Sequence, residues 1–251
     1  MSDIRVLLAG ESWLTYSVHI KGVDYFVSAE YEEGARWLRS ALEQNGITVE
    51  HLPNHLAARD FPTSAEELGR YQAVILSDIG SNTLLQHPDT TRFSRRTPNR
   101  LKLLESYVAQ GGGLLMIGGY MTFQGIDGRA RYKDTAVEKA LPVELVAGDD
   151  RVEVPEGFEP VVRQPDHPIL RGIPVEWPFM LFYNRVILKQ GATLLLEFDG
   201  SPILAAWDYG KGRSLAFTPD AAPHGAPPEF LDWEYFPVFW GQAVRWMCHR
   251  L

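Results

Sequence analysis

The chain has 251 residues, 45% of them hydrophobic, which is enough to form the core of one large α/β domain. Its formal net charge of −8 argues against nucleic acid as a partner, because a phosphate backbone demands a basic face. No apolar run approaches the roughly 20 residues that span a membrane, residues 1–5 carry no secretory signal pattern, and a single cysteine excludes an internal disulfide, so the cytoplasm is the expected location.

The first predicted strand, residues 4–9, is a short apolar run that ends in a small polar loop. The segment 13–27 is aromatic and irregular, and we expect it to fold over the carboxyl edge of the sheet. A helix is predicted from its N-cap at Ser28 to Gly46, and residues 47–52 form the second predicted strand. The apolar stripe of that helix consists of Tyr31, Ala35, Leu38 and Leu42.

A polar connection with a short helix near Ala65 leads to the third predicted strand, residues 71–77. The next helix is capped by Thr97 and ends at Gly111, since glycine readily takes the left-handed conformation at a helix C-terminus. Strands that alternate with helical crossovers require a parallel sheet with right-handed connections.

The fourth predicted strand, residues 114–117, leads into the most informative turn of the chain. This strand is apolar on both faces, as expected of a central parallel strand that helices cover on both sides. Gly118 and Gly119 then allow a tight turn with positive φ, or the close approach of a ligand. Ligand sites of open α/β sheets form at the carboxyl ends of strands, so we predict a site at these two glycines, the elbow.

The second half of the chain is richer in proline and has shorter predicted strands. A short helix at 134–140 is followed by the proline-rich region 151–198, which suits short strands and loops packed on the main sheet. A final helix is predicted from about Asp232, and we find no linker or repeat, so residues 1–251 are predicted to form a single domain. Further strands are predicted at 193–198, 203–207 and 214–217.

Polar residues follow the predicted strands and should meet near the elbow if the sheet is wound in this way. They are Glu11 and Ser12, Asp78 and Asn82, Tyr120 beside the elbow, and Asp220 and His224 after the last parallel strand. Each also has a structural interpretation as a helix cap, a turn former or a packed side chain. The histidines show no metal-ligand spacing, so neither a metal nor a cofactor is expected.

The elbow and its position after the fourth strand resemble the class I glutamine amidotransferase-like superfamily, which has a flavodoxin-like fold with a mostly parallel sheet flanked by helices. Working members end this strand in Gly-Ile-Cys-X-Gly, with the cysteine as nucleophile, and carry a later Phe-His-Pro-Glu segment that supplies the base and its orienting carboxylate. Matching Ile117 to the isoleucine puts Gly118 in place of the cysteine. Matching residues 217–220 to the later segment puts Thr218 in place of the histidine and Asp220 in place of the glutamate.

These substitutions remove the glutaminase chemistry that the resemblance would otherwise imply. Acyl transfer needs a thiolate poised by an imidazole, whereas glycine offers no nucleophile and threonine cannot cycle a proton near neutral pH. Cys248 lies on the final predicted helix and is expected to be a buried structural residue. Glutamine hydrolysis through a cysteine is therefore not expected, and whether the chain is an enzyme stays open.

More narrowly, the sequence resembles the uncharacterised GATase1-like family of glutamine amidotransferase-like proteins. It also resembles, more distantly, the trehalose-utilisation-type proteins, which lack the cysteine too. The segments that carry the narrower resemblance are 118–125, 140–143, 166–170, 217–220, 223–224 and 239–246.

Three functions fit these observations. The leading hypothesis is a small polar metabolite bound at the elbow without glutaminase activity. The second is a hydrolase or isomerase that uses Asp220 and His224 as acid and base, and the third is a non-catalytic assembly role. A homo-oligomer is expected, with no nucleic-acid or membrane partner, and Trp13 and Trp233 are candidates to border the pocket or a subunit contact.

Overall fold

The computed structural model describes residues 4–223 and 225–251. The strands are β1 (Arg5–Gly10), β2 (Ser12–Lys21), β3 (Asp24–Glu33), β4 (Thr48–Leu52), β5 (Ala73–Ser77), β6 (Gly113–Ile117), β7 (Val143–Leu145), β8 (Arg151–Phe158), β9 (Val161–Val162), β10 (Met180–Asn184), β11 (Val186–Leu188), β12 (Thr193–Phe198), β13 (Ser201–Tyr209) and β14 (Gly212–Phe217). The α-helices are α1 (Arg36–Gln44), α2 (Asn54–Asp60), α3 (Ala65–Leu68), α4 (Ser81–Leu85), α5 (Pro88–Phe93), α6 (Arg100–Ala109), α7 (Ala136–Ala140), α8 (Pro228–Leu231) and α9 (Phe236–Met247).

An eight-stranded sheet in the order β4-β1-β5-β6-β14-β13-β12-β9 forms the centre of the molecule. Its neighbours from β4 to β14 run parallel, whereas β13, β12 and β9 add antiparallel pairs. The predicted α/β class, with a mostly parallel sheet, flanking helices and extra β-rich segments in the second half, is confirmed. In the described residues, no helix is long and apolar enough to cross a membrane.

The strand β6 explains why the middle of this sheet is so apolar. Leu115 and Ile117 pack into the core that also holds Trp240 of α9. Leu114 and Met116 point to the other face, into the core that includes Leu104 of α6. Because alternate residues of a strand point to opposite faces, a strand covered on both sides needs apolar residues at every position.

Residues 12–33 form a long two-stranded hairpin, which we call the β-arm. Its strands pair from Ser12 opposite Glu33 to Lys21 opposite Asp24. The predictions of an irregular segment at 13–27 and of a helix capped by Ser28 are therefore wrong, since α1 begins only at Arg36. The apolar side chains of residues 14–20 and 25–31 recur with the period of two that is typical of a strand, whereas Tyr31 and Ala35 also fit the spacing of a helix. In the structure residues 12–21 and 24–33 are strands.

The other corrections concern helix boundaries. The side chain of Asn99, rather than Thr97, caps α6 by accepting hydrogen bonds from the amides of Leu101 and Lys102. The final helix starts at Phe236 instead of near Asp232, because a separate short helix, α8, precedes it. The helices α2, α4 and α5 lie in segments for which no helix was predicted.

The carboxyl ends of four neighbouring parallel strands lie in one row. Gly10 pairs with Ser77, Ser77 with Ile117, and Ile117 with Phe217. The residues that follow each of these strands therefore leave the sheet at the same edge.

Candidate ligand-binding site

A cavity of about 790 Å³ opens at this edge of the sheet. Its lining includes the acidic side chains Glu11, Asp78 and Asp220 and the aromatic side chains Trp13, Trp37 and Tyr120. Two of the carboxylates follow β1 and β5, the third follows β14, and the tryptophans come from the base of the β-arm and from α1. The fold thus brings distant acidic and aromatic side chains to one opening.

Glu11 and Asp78 are held in an uncommon backbone conformation. Their φ angles are 50° and 45°, in the left-handed region, which is strained for a glutamate and less so for an aspartate. The amide of Glu11 donates to the carbonyl of Ser77 at 2.8 Å, and the Ser77 hydroxyl donates to the Glu11 carboxylate at 2.5 Å. Such strain persists where surrounding contacts fix it, and it is concentrated at functional sites.

Burial shifts the protonation of two of these carboxyls. Asp220 is 3% exposed, and burial, followed by the nearby charge of Asp78, raises its pKa to about 8. Burial, followed by the charges of Asp220 and Asp78, likewise raises the pKa of Glu11 well above its ordinary value. Because like charges in a site of low polarity cannot all ionise, the cluster retains protons at neutral pH.

Tyr120 forms another part of the wall beside the elbow. Its hydroxyl donates to the Glu153 carboxylate at 2.9 Å, and the Arg151 guanidinium lies 4.8 Å from its ring centroid. Burial and the hydrogen bond to Glu153 raise the pKa of Tyr120, so that it stays protonated near neutrality. Donation from this phenol to a substrate oxygen, which the sequence suggests, remains a prediction.

The amides of the elbow are engaged inside the protein. The Gly118 amide donates to the carbonyls of Phe217 and Pro219, at 2.8 and 3.0 Å. The Gly119 amide donates to the Asn184 side chain at 2.9 Å, and the Met121 amide donates to Asp78 at 2.7 Å. Because an oxyanion hole needs amides aimed at the substrate, these three do not provide one.

Asn184 and Asp150 buttress the elbow from below, and sequence reasoning missed both. Asn184 is fully buried, and its amide group donates to the Gly119 carbonyl at 3.2 Å and to Asp150 at 2.8 Å. Asp150 also accepts the amides of Gln124 and Gly125, each at 2.8 Å. No local pattern could have found this pair, because both residues reach the elbow only through the tertiary fold.

The position of the missing nucleophile has no room for a side chain. A Cβ atom on Gly118 would lie 1.8 Å from the carbonyl oxygen of Thr218, which belongs to the neighbouring backbone. Thr218 itself is buried, and its hydroxyl donates to the Pro202 carbonyl at 2.9 Å rather than toward the cavity. Gly118 and Thr218 therefore fit one tightly packed contact between the ends of β6 and β14. Replacing only one of them cannot restore the triad.

The remaining predicted residues fall in different places. Ser12 is buried at the base of the β-arm, where its hydroxyl accepts the amide of Asn54 at 2.8 Å. Asn82 is half-buried on α4 and does not line the cavity. His224 lies outside the described residues. Neither Gly118 nor Gly119 is among the residues that line the cavity, although Gly119 lies against Asp78, which does line it.

The arm and α1 supply lining residues that were not predicted as a ligand site: Glu32, Glu33, Gly34, Arg36 and Trp37. Their identification requires knowing that residues 12–33 turn back on themselves. Trp13, which was a candidate pocket border, lines the cavity, whereas Trp233 packs against Trp177 with ring centroids 4.9 Å apart. Among the described residues, no group of three or more His, Cys, Asp or Glu side chains is arranged to hold a metal ion.

Cys248 lies at the opposite edge of the sheet, after α9. It lines a smaller cavity with Gly112 and Tyr71, near the amino ends of β6 and β5. Burial raises the pKa of its thiol to about 12, so the reactive thiolate is scarce at neutral pH. Cys248 therefore lies away from the elbow, and its protonated thiol is a poor nucleophile.

We expect native Cys248 to resist alkylation by iodoacetamide at pH 8. The reaction should be at least about a hundredfold slower than in the urea-unfolded chain, because an unperturbed thiol has a pKa of about 8.5. Mass spectrometry of a time course measures both rates. Equal rates in the folded and unfolded chain would contradict the burial of this thiol.

The mostly parallel sheet and its glycine elbow fit a class I glutamine amidotransferase-like protein that lacks the elbow cysteine. A family model described as "Putative glutamine amidotransferase", the GATase1-like family, matches residues 5–249. The chain belongs to this family.

Two solved structures resemble the chain over nearly its full length. They are the cytoplasmic protein STM1381 from Salmonella typhimurium LT2, at 42% identity, and the cytoplasmic protein STM3548 from Salmonella typhimurium, at 39%. Each has a TM-score of 0.93. The alignment with STM1381 covers 97% of this chain and 99% of that one, and the alignment with STM3548 covers 96% of this chain and 98% of that one. A ThuA-like protein from Parabacteroides merdae, with a TM-score of 0.60 at 14% identity over 98% of this chain and 90% of that one, shares the fold alone. No curated protein matches the sequence.

Proposed function

We propose that this protein binds a small polar metabolite with a protonated amine in the cavity beside the elbow, and that it does not hydrolyse glutamine. The observation that carries the proposal is the cluster of the buried Glu11 and Asp220 with the half-buried Asp78, beside the aromatic lining of the cavity. A cation would let the cluster release its protons, because an adjacent positive charge favours the ionised form of a carboxyl group.

The charge of the lining supports a cationic ligand over an anionic one. Glu32 and Glu33 add to the carboxyls of Glu11, Asp78 and Asp220, and Arg36 is the one basic side chain among the lining residues that the structure describes. The Arg36 guanidinium lies only 3.7 Å from the ring centroid of Trp37. An ammonium group gains from both acidic and aromatic neighbours, whereas a phosphate or carboxylate would be repelled.

Matched ligand pairs test this preference. We expect putrescine to raise the melting temperature more than butane-1,4-diol, and glucosamine more than glucose, since each pair differs in its charged amines. The Glu11→Gln variant should lose the difference, while Glu30→Gln, which changes an exposed side chain of the β-arm, should keep it. Equal shifts for the amine and its neutral partner, or a larger shift with phosphate, would overturn the proposal.

The affinity for an amine is expected to rise between pH 6 and pH 8. Asp220, whose pKa is about 8, must lose its proton to pair with the cation, so binding should strengthen by up to about tenfold per pH unit. Above about pH 10 an alkyl amine such as putrescine, with which this prediction is tested, loses its charge and binding should weaken again. Isothermal titration calorimetry across this range measures the trend, and a steady loss of affinity from pH 6 to pH 8 would contradict it.

Incubation with glutamine should release no ammonia above the buffer control. The elbow has neither a nucleophile nor donors aimed outward, so neither half of the glutaminase mechanism is available there. Ammonia release that survives Cys248→Ala but disappears when His224 is replaced would refute this part of the proposal.

The likeness to two proteins called cytoplasmic supports a cytoplasmic location for this chain.

One observation favours a second candidate, a hydrolase or isomerase that uses Asp220 as an acid or base. A carboxyl group with a pKa of about 8 holds and releases a proton near neutral pH, as general acid–base catalysis requires. His224 is the partner that the sequence suggests for it. A bell-shaped pH dependence of turnover that Asp220→Asn abolishes would favour catalysis over binding alone.

A further inference from the structure

The β-arm divides its side chains sharply between two faces. Directly opposed residues of an antiparallel pair point to the same side, so the register assigns each residue to a face. Beyond the pair Ser12–Glu33 at its base, one face carries only aliphatic and tyrosine side chains, in the pairs Leu14–Tyr31, Tyr16–Ala29, Val18–Val27 and Ile20–Tyr25. The other face carries the pairs Trp13–Glu32, Thr15–Glu30, Ser17–Ser28, His19–Phe26 and Lys21–Asp24.

The apolar face is left in solvent. Ile20 is 75% exposed, Tyr25 71% and Tyr16 68%, although isoleucine is among the residue types most often buried and a tyrosine ring is largely apolar. Tyr31, near the base, packs on the ring of His55 at 5.1 Å, but the face farther out projects beyond the body of the protein. An arm with 10 residues in each strand reaches about 34 Å, and a lone two-stranded hairpin of this kind is at best marginally stable in water.

The size of this face matches what a stable protein contact needs. Its exposed side chains, with that of Val23 at the tip, offer about 1,000 Å², whereas a standard interface buries about 800 Å² per partner. Contiguous apolar patches above a few hundred Å² on a soluble protein mark interaction surfaces. The face is therefore large enough to hold two proteins together by itself.

We propose that the apolar face of the β-arm packs against the same face of a second copy of this chain. A two-fold contact uses one patch twice, so the patch must be compatible with itself. This face meets that condition, because beyond Glu33 at its base it carries no charge that would meet a like charge, although the whole chain carries a net −8. Two flat apolar ribbons can then bury each other face to face, as the sheets of a sandwich do.

The polar face argues against a membrane as the occupant. It carries Asp24, Glu30 and Glu32 against a single Lys21. A membrane-surface element needs basic side chains beside its apolar face, to meet the anionic lipid headgroups. The acidic face of the arm would instead be repelled.

The test is the molar mass in solution, measured by light scattering after size-exclusion chromatography. We expect the wild-type chain to have at least twice the chain mass, and Val18→Glu to have the mass of one chain. The substitution places a charge at the centre of the apolar face and should raise the dissociation constant at least about a hundredfold. Ser17→Glu changes the exposed neighbour on the polar face and should leave the assembly intact.

A second variant keeps the proposal falsifiable if a single charge is tolerated. Residues 14–31 are replaced by Asn-Gly, which joins the directly opposed Trp13 and Glu32 through a two-residue hairpin turn. The body should remain folded by circular dichroism and should have the mass of one chain. A wild-type protein with the mass of a single chain overturns the proposal, whether or not it sediments with vesicles of phosphatidylcholine and phosphatidylserine. An arm-deleted protein that keeps its assembly also overturns it.

Discussion

Replacing Asp220 by asparagine is expected to raise the melting temperature of the protein by about 5 °C at pH 8, because about 1 kcal/mol corresponds to 2–4 °C in a chain of this size. The aspartate is buried beside Glu11 and Asp78, so its ionised form is strongly disfavoured in the folded state. Asparagine can still accept the amide of Ala222, which now donates to Asp220 at 2.9 Å, without carrying a charge. The gain in free energy of unfolding is expected to be about 2 kcal/mol.

The free energy of unfolding is expected to fall as the pH rises, because the pKa of Asp220 is higher in the folded protein than in the unfolded chain. The pKa of Asp220 is about 8 in the folded protein and about 3.9 in an unfolded chain, so between these values the folded state binds one more proton. The stability that this proton supplies is fully present below the unfolded pKa and is lost as the pH rises through about 8. The wild-type free energy of unfolding should therefore fall by up to about 1.4 kcal/mol per pH unit through this range, and Asp220→Asn should flatten that slope.

Thermal unfolding of both proteins from pH 5 to pH 9 checks the prediction. The control is Asp232→Asn, which makes the same substitution at an exposed position and should change the melting temperature little. If Asp220→Asn instead lowers the melting temperature at pH 8, the ionised carboxylate stabilises the fold and our account of the cluster is wrong. A variant that is more stable but binds amines less well would show the trade-off expected of a functional site.

Replacing Gly118 by alanine is expected to destabilise the protein by at least about 3 kcal/mol, or to prevent folding. The added Cβ would lie 1.8 Å from the Thr218 carbonyl oxygen and 2.7 Å from that of Pro219. Both are backbone atoms beside the paired strands β6 and β14, so neither can rotate away as a flexible side chain would. The clash can be relieved only by moving two strands of the central sheet.

Urea unfolding measures the loss, with Gly69→Ala as the matched control. Gly69 has φ of −63° at the end of α3, and a Cβ there would approach the Ala65 carbonyl at 3.2 Å. That substitution should change the free energy of unfolding by less than about 1 kcal/mol. Gly118→Cys should be as damaging as Gly118→Ala and should release no ammonia from glutamine. A Gly118→Cys protein with wild-type stability would contradict the geometry of the elbow.

Local sequence patterns predicted most of the sheet correctly. The strand at 114–117 is apolar at every position, and this pattern is sufficient to place it in the middle of a sheet covered on both faces. The loss of the nucleophile was equally visible, because Gly118 and Thr218 are read directly from the motifs. Predictions failed where one segment satisfied two periods, as at Tyr31 and Ala35, which fit a helix in spacing although Tyr31 lies in a strand.

The sequence by itself therefore determined the fold class, the edge of the sheet where a site should form, and the absence of a cysteine at the elbow. Only the tertiary structure decided that Glu11 and Asp220, 209 positions apart in the chain, share one buried cluster and hold protons near neutral pH. It also decided that Asn184 occupies the amide of Gly119 and that the β-arm leaves its apolar face uncovered. The physical reason is that periodicity and motifs are local, whereas burial, charge coupling and steric exclusion depend on distances between residues far apart in sequence.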